Sequence, residues 1–278
     1  MDFRTIVEIP KPEFEIGPCE ETLFVGSCFA DAIGQRFRVE GFPVTINPFG
    51  TMYNPVSILH TLQRLYTSAS TSLVKSDSVA VPALVFLTLG TNHVYRLKST
   101  GEIVDNCQKR PATLFQEEEL TVDQCADYLR QSIVLLRQVN PDVHIVLTVS
   151  PIRYRKYGYH ASQLSKATLL LAINTIVSDS LATYFPSYEI LMDELRDYRF
   201  YAFDMLHPSE QAVDYIWERL VDTFFSNNAK VFLDEWRPLK QALSHKPFNP
   251  DSEEYRTFMD KTMLKVAELR KKYSTFAL

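Results

Sequence analysis

Short apolar runs that alternate with amphipathic stretches make up most of the chain. The runs at residues 22–25 and 83–89 are apolar or β-branched without a break, and the run at 143–149 is interrupted only by His144, as in parallel strands covered on both faces. Shorter segments at 39–46 and 188–192 are predicted to be two further strands. Because helical patterns separate these strands, the order predicts parallel βαβ units around one central sheet. The predicted fold class is a three-layer α/β/α architecture with a mostly parallel sheet.

Helices are predicted where apolar residues recur three and four positions apart. The first helix follows the strand at 22–25, and its apolar face consists of Phe29, Ala30, Ile33 and Phe37. The other predicted helices cover residues 55–67, 121–139, 160–183, 209–225, 231–244 and 251–273, and a small hairpin covers 94–106. Residues 1–20 are rich in proline and predict an extended lead-in on the domain surface. We therefore divide the chain into this lead-in, an α/β domain at 21–228 and a helical extension at 229–278.

Composition and charge narrow the class of protein. A chain of 278 residues with 46% hydrophobic residues can bury a substantial core, and its net charge of −5 disfavours nucleic acid and anionic membrane surfaces as partners. Residues 1–6 carry charges where a signal peptide has an apolar run, and no stretch has the length of a membrane span. We therefore expect a cytoplasmic protein that binds a small molecule.

The cysteines and histidines show no pattern typical of a metal or disulfide site. No C-x-x-C pair and no H-E-x-x-H motif occurs in the sequence. The sequence therefore predicts free thiols, no metal and no cofactor. The four cysteines are Cys19, Cys28, Cys107 and Cys125.

Ser27 stands at the turn between the first strand and the first helix. A serine hydroxyl reacts when a base takes its proton and fixed N–H donors stabilise the oxyanion that forms. A helix N-terminus offers free N–H groups, and Gly26 allows a tight turn and the close approach of an acyl group. The structural alternative is that Ser27 is an ordinary N-cap.

Further polar residues follow other predicted strands. The carboxyl ends of parallel strands meet at one edge of a sheet, so we expect Gly50, Asn92, Asp204 and His207 to share a site with Ser27. In acyl transfer, His207 would accept the Ser27 proton while Asp204 holds the other imidazole nitrogen. The N–H groups of Ser27 and Gly50 and the Asn92 amide would form the oxyanion hole.

Each of these residues also has a structural explanation. Asp204 can cap the following helix or pair with an arginine in 196–199, Asn92 can close an Asx turn, and Gly50 can occupy a turn with positive φ. A D-x-x-H pattern alone is weak evidence for a catalytic pair. The order of a serine, a G-x-N loop and a late D-x-x-H within one α/β pattern favours the catalytic interpretation.

The segment Gly26-Ser27-Cys28-Phe29-Ala30 resembles the one that gives the GSCFA family its name. That family is similar to the SGNH (GDSL-like) hydrolases, whose four sequence blocks supply a serine, a glycine, an asparagine in G-x-N-D and a D-x-x-H. The corresponding positions here are Ser27, Gly50, Gly90 to His93, and Asp204 to His207.

The resemblance covers residues 20–225 and implies a flavodoxin-like α/β fold and a hydrolase of esters or acyl groups. The chain departs from the superfamily pattern twice. Gly26-Ser27-Cys28 stands where Gly-Asp-Ser is usual, and His93 stands where aspartate is usual.

Residues outside the main blocks are candidates for substrate binding. Arg153 follows a predicted strand, and with Lys166, Asn106 and His93 it is predicted to line the cleft and bind an anionic or hydroxylated substrate. The alternative for Arg153 is a charge that faces solvent. Cys28 is an alternative nucleophile, although its helical position predicts a side chain turned toward the core.

The sequence thus predicts a serine esterase or deacylase that acts on a small O-acyl ester, such as an acylated carbohydrate, through an acyl-Ser27 intermediate. An acyltransferase would use the same residues with an alcohol acceptor. A non-catalytic ligand-binding or scaffold protein is the alternative from another class. For each of these functions, the C-terminal helices are a candidate surface for a homodimer or another partner, through Tyr255, Met259, Met263 and Val266.

Overall fold

A parallel sheet of five strands lies at the centre of the protein in a computed structural model that describes residues 4–66 and 81–278. The described strands are β1 (Thr22–Gly26), β2 (Val44–Ile46), β3 (Leu84–Leu89), β4 (His93–Leu97), β5 (Ile103–Val104), β6 (Phe115–Glu119), β7 (His144–Val149) and β8 (Thr183–Tyr184). The central order is β2-β1-β3-β7-β8, with every neighbouring pair parallel. Strands β4, β5 and β6 form a small antiparallel sheet.

Helices cover both faces of the central sheet. They are α1 (Cys28–Val39), α2 (Pro55–Tyr66), α3 (Val122–Val139), α4 (Gly158–Ser178), α5 (Ser187–Glu189), α6 (Glu210–Phe224), α7 (Asn227–Ser244) and α8 (Glu253–Lys272). Successive strand residues point to opposite faces, so Phe24 packs in the core with α1 and α6, whereas Val25 packs in the core with α2, α3 and α4. This arrangement confirms the predicted three-layer α/β/α fold.

Polar capping residues mark where several helices begin. Thr121 and Gln124 form a reciprocal capping box at the start of α3. Ser209, Ser226 and Ser252 cap α6, α7 and α8 by accepting a hydrogen bond from a backbone N–H of the first turn. The predicted starts of α3 and α6 therefore agree with the structure to within a residue.

The predicted strand at 188–192 is wrong, because these residues are helical. The short helix α5 continues as a π-helical segment, Ile190–Leu195, whose apolar residues Ile190, Leu191 and Leu195 are buried. The fifth strand is instead β8, where a β-branched and an aromatic residue lie just before Pro186. Helix α4 ends at Ser178, short of the predicted end at 183, because Ser180 turns the chain with a φ of 56°.

Two other parts of the chain differ from expectation. Ile16, in the lead-in expected on the surface, is fully buried, and its N–H donates to the Phe224 carbonyl at 2.7 Å. Strand β6 has no counterpart among the predicted elements, because four of its five residues are polar and give no apolar signal.

Helices α7 and α8 pack into the same core as α1. The Trp236 indole N–H donates to the Val39 carbonyl at the end of α1 (3.0 Å), and Phe276 packs edge-on against Trp236 with ring centroids 4.9 Å apart. On α8, Val266 is buried and Met263 is 47% exposed. The boundary at residue 229 and the homodimer through these helices stay predictions. Among the described helices, none combines the length and the apolar character needed to cross a membrane.

Candidate active site

Ser27 lies at a turn that accepts only glycine in front of it. Gly26 has a φ of 153°, and a Cβ atom there would lie 2.2 Å from the Thr88 carbonyl oxygen of β3. This close approach lets the chain turn directly from β1 into α1. Ser27 then caps the helix, with its Oγ accepting a hydrogen bond from the Phe29 amide at 3.3 Å, and is only 1% exposed. The observed capping role and the predicted catalytic role thus fall on the same residue.

Asn47 secures the turn before Ser27, a role that the sequence pattern does not indicate. Its Oδ1 accepts a hydrogen bond from the Gly26 amide at 2.8 Å, and its Nδ2 donates to Asp31 Oδ1 at 2.9 Å. The residue is buried and has a φ of 40°, a conformation that asparagine tolerates better than most residues. The only signal in the sequence is the Asn-Pro pair at 47–48, which by itself indicates a turn.

Two of the three predicted oxyanion donors are already engaged in backbone hydrogen bonds. The Ser27 N–H donates to the Thr88 carbonyl at 3.0 Å, and the Gly50 N–H donates to the Asn47 carbonyl at 2.8 Å. Gly50 has a φ of 91°, so it is the turn glycine of the structural alternative. The prediction that these two N–H groups point at a substrate is therefore wrong for this conformation.

Asn92, the third predicted donor, is buried on the loop that follows β3. Its Nδ2 donates to the Leu120 carbonyl at 2.8 Å, and its Oδ1 has no hydrogen-bond partner within the described residues. An amide nitrogen carries two hydrogens, so one remains for a ligand. The same loop passes close to the serine, because a Cβ atom at Gly90 would lie 3.5 Å from Ser27 Cβ.

Asp204 and His207 form the predicted carboxylate–imidazole pair. Asp204 Oδ2 lies 2.5 Å from His207 Nδ1, while Asp204 Oδ1 accepts hydrogen bonds from the backbone N–H groups of Leu206 (2.9 Å) and His207 (3.0 Å). The backbone hydrogen bonds from His207 and Leu206, and then the contact with the imidazole, lower the pKa of Asp204 to about 2. The carboxylate is therefore ionised at neutral pH and orients the ring.

Arg153 holds the Asp204–His207 loop at the carboxyl end of β7. Its backbone N–H donates to the Leu206 carbonyl at 3.0 Å, and its guanidinium donates to the Met205 carbonyl at 3.1 Å. Since β1, β3 and β7 are parallel, Ser27 and His207 lie at the same edge of the sheet. In this conformation the two are not hydrogen-bonded, because Ser27 Oγ pairs with the Phe29 amide alone among the described residues.

The Arg153 guanidinium also lies among three tyrosine rings, at a half-buried position. Its distances to the ring centroids of Tyr159, Tyr201 and Tyr198 are 4.3, 5.3 and 5.6 Å. These residues line a cavity of about 490 Å³ between α4 and the π-helical segment. Lys166 lines the same cavity from α4.

His93 and Asn106, two predicted substrate-binding residues, have other contacts. The His93 ring stacks on Tyr157 with centroids 3.7 Å apart, and its Nδ1 lies 3.1 Å from Glu117 Oε1, so the side chain is buried. Asn106 is exposed, and its Oδ1 accepts a hydrogen bond from the Gln108 amide at 2.7 Å in a turn. The structure therefore gives Asn106 a turn-forming role and encloses His93 in an aromatic contact.

Cys28 does not enter the core, contrary to the expectation from its helical position. It is half-buried, and its Sγ lies 3.4 Å from the Tyr53 hydroxyl at the surface of the site. Cys19 and Cys125 are buried, and burial raises the pKa of both thiols to about 12. These two thiols are therefore unreactive, while Cys28 stands beside the candidate nucleophile.

Family models match most of this chain. The model described as GSCFA family matches residues 21–80 and 76–220. A second model, described as GSCFA domain protein, C-terminal domain, matches residues 236–278. A search of curated proteins gave no match.

Several solved structures are similar to this chain at low sequence identity. One is a catalytic mutant of an acetylxylan esterase from Geobacillus stearothermophilus (14% identity, 77% of this chain and 98% of that chain, TM-score 0.44). Another is a member of the lipolytic protein G-D-S-L family from Veillonella parvula (13% identity, 73% and 97%, TM-score 0.45). A third is a family two carbohydrate esterase from Clostridium thermocellum in complex with cellohexaose (15% identity, 76% and 64%, TM-score 0.42).

Proposed function

Since the chain belongs to the GSCFA family, we propose that it is a serine hydrolase that removes the acyl group from a small O-acyl ester. The observation that carries the proposal is the Asp204–His207 pair, with 2.5 Å between Oδ2 and Nδ1, at the sheet edge where Ser27 follows β1. A carboxylate, an imidazole and a serine hydroxyl are the groups that acyl transfer requires.

In the proposed reaction, Ser27 Oγ attacks the ester carbonyl carbon while His207 Nε2 accepts the hydroxyl proton. The tetrahedral intermediate collapses, the C–O bond of the ester breaks, and His207 returns the proton to the leaving alcohol. Water then attacks the acyl-serine by the same route and releases the acid. Asp204 stays ionised throughout and stabilises the imidazolium. The His207 side chain is 45% exposed, so its ring has room to turn toward Ser27 when substrate binds.

The oxyanion would be stabilised by donors that the fold leaves available. Cys28 is the first residue of α1, and a backbone N–H at that position has no acceptor within the helix. The second hydrogen of the Asn92 amide is the other proposed donor. Both follow a strand end beside Ser27, and removal of one such donor typically costs about 10²- to 10³-fold in kcat.

The cavity beside Arg153 supports a hydroxylated ring, such as a sugar, as the leaving alcohol. Its tyrosines offer flat apolar faces for the C–H side of a ring. At its wall, the Gln163 amide can donate hydrogen bonds to hydroxyl groups, and the carboxylates of Asp193 and Asp197 can accept hydrogen bonds from them. Arg153 lines this cavity and also holds the His207 loop through Met205 and Leu206, so an alcohol bound there would contact the residue that positions the general acid.

A fluorophosphonate probe tests the proposal, because it forms a covalent bond to an activated serine. We expect the wild-type protein to be labelled at Ser27 and the Ser27→Ala variant to be unlabelled. Cys28→Ala is the matched control on the adjacent residue, and it should be labelled like the wild type. Labelling that persists in Ser27→Ala, or its absence in the wild type, contradicts the proposal. Loss of labelling in Cys28→Ala alone would assign the reaction to the thiol.

A further inference from the structure

Lys166 is a buried lysine that joins the carboxyl ends of two neighbouring strands. It is 3% exposed, and its Nζ donates hydrogen bonds to the Gly90 carbonyl at 2.7 Å and the Ser150 carbonyl at 2.8 Å. Gly90 follows β3, and Ser150 follows β7. One ammonium group therefore ties together the two loops that leave the active edge of the sheet beside Ser27.

Ser165, the preceding residue of α4, holds the rest of the same loop. Its Oγ accepts a hydrogen bond from the Asn92 backbone N–H at 3.0 Å and lies 3.0 Å from Thr91 Oγ1. Ser165 is buried, as are Thr91 and Asn92. Together, the two adjacent helical residues contact all three residues of the Gly90–Asn92 loop.

The position of this loop matters for the proposed reaction. Gly90 approaches Ser27 closely, and the Gly90 and Thr91 amides both donate to the Tyr53 carbonyl, at 2.8 and 2.9 Å. The loop therefore packs between the serine and α4. Any movement of its backbone would move the Asn92 amide relative to the reacting carbonyl.

A buried ammonium group is an expensive way to fill this space. Removing a charge from water costs several kcal/mol, and an apolar side chain of the same size often stabilises a fold better. Burial lowers the pKa of Lys166 to about 7. A lysine in this place therefore points to a requirement for two directed hydrogen bonds rather than for packing.

We infer that Ser165 and Lys166 are positioning residues that fix the Gly90–Asn92 loop against Ser27 and so hold the oxyanion donor in place. The inference rests on the proposed hydrolase function. Neither residue touches the reacting atoms; each acts through the backbone of the loop.

Steady-state hydrolysis of 4-nitrophenyl acetate by Lys166→Met and Ser165→Ala tests the inference. We expect kcat to fall about 10- to 100-fold in each variant, with KM changed less than about twofold, because the lost interaction acts in the transition state. Ser165→Thr keeps the hydroxyl and should recover most of the rate. Ser132→Ala is the matched control, since it removes a buried hydroxyl that donates to the Tyr128 carbonyl within α3. An unchanged kcat in both Lys166→Met and Ser165→Ala would overturn the inference.

Hydrogen exchange gives a readout that does not depend on activity. The Asn92 amide proton, bonded to Ser165 Oγ, should exchange at least about tenfold faster in Ser165→Ala, whereas amides of α3 should keep their protection. If the wild-type protein neither hydrolyses esters nor reacts with the probe, the proposed function fails. In that case faster exchange in the variants still supports the fixing of the loop. An unchanged exchange rate of the Asn92 amide in both Ser165→Ala and Lys166→Met overturns the inference that these residues fix the loop.

Discussion

Replacing Lys166 with methionine should change the pH dependence of stability in a direction that the structure determines. Burial lowers the pKa of this lysine from its ordinary value of 10.5 to about 7. Between these values the unfolded chain binds a proton that the folded chain does not. Lys166 therefore makes the free energy of unfolding of the wild-type protein rise as the pH rises above 7 and fall as the pH falls toward 7. The Lys166→Met variant has no such dependence.

The magnitude follows from the same values. One pKa unit corresponds to about 1.4 kcal/mol, so the variant should gain about 3 to 4 kcal/mol relative to the wild type as the pH falls from 10 to 7, most steeply near pH 8 to 9. Over the whole range between the unfolded and folded pKa values, the change in relative stability would be about 5 kcal/mol. This is an upper limit, because the hydrogen bonds to Gly90 and Ser150 favour the charged ammonium. At pH 10 the variant should be less stable by about 2 to 4 kcal/mol, since two buried carbonyls lose their partner.

Urea denaturation followed by tryptophan fluorescence at pH 7, 8, 9 and 10 measures this difference. The titratable side chains that line the cavity next to Lys166 are Arg153, Tyr159, Tyr188, Asp193, Arg196, Asp197, Tyr198 and Tyr201. All of them are present in both proteins, so their own titration cancels in the difference to first order. Lys98→Met is the control, because its exposed ammonium also donates to a backbone carbonyl, that of Thr113.

Two results would refute the reasoning. A difference between Lys166→Met and the wild type that stays constant within about 0.5 kcal/mol from pH 7 to 10 would mean that the buried amine keeps an ordinary affinity for its proton. An equal slope in Lys98→Met would mean that the slope does not come from burial.

Three further substitutions test other parts of the site. Asp204→Asn should lower kcat/KM for 4-nitrophenyl acetate about 10³-fold at neutral pH, because an amide cannot orient and stabilise the imidazolium. The circular dichroism spectrum should be unchanged. A loss of kcat/KM below tenfold would contradict this prediction. Asn47→Ala leaves the Gly26 amide unpaired and should lower the free energy of unfolding by about 1 to 3 kcal/mol in urea, and an unchanged midpoint would speak against it. Gly26→Ala should yield no soluble protein, because the added Cβ would meet the Thr88 carbonyl. Gly101 also has a positive φ but open surroundings, so the control Gly101→Ala should lower the free energy of unfolding by only about 1 kcal/mol.

The elements that define the fold could be predicted because local pattern and tertiary position agree there. Apart from the exposed His144, strands β1, β3 and β7 are buried on both faces, as their short β-branched apolar runs predict. The segment after Pro186 has the same apolar content but helical spacing, and a short run of this kind does not distinguish a strand from a helix. This ambiguity produced the misplaced fifth strand.

The candidate site could be predicted only in part. Asp204 and His207 are three residues apart, so their contact is local and follows from the spacing. The engagement of the Gly50 amide by Asn47 depends on the turn conformation, and the contacts of Ser165 and Lys166 with the Gly90 loop join residues more than 70 positions apart. Such contacts depend on how α4 docks on the sheet, which no motif records.

Helix α1 has Ser27 at its beginning, and its far end is covered by the C-terminal segment. A Cβ atom at Gly41, two residues past that end, would lie 2.2 Å from the Phe276 ring, and the Ala277 amide donates to the Gly41 carbonyl at 2.9 Å. A substitution near Phe276 should therefore shift helix α1, which begins at Ser27, the proposed nucleophile. If Ser27 is the nucleophile that we propose, substitutions at these distant positions should change turnover without altering any group that touches substrate, and a mutant library confined to the active site would not sample them.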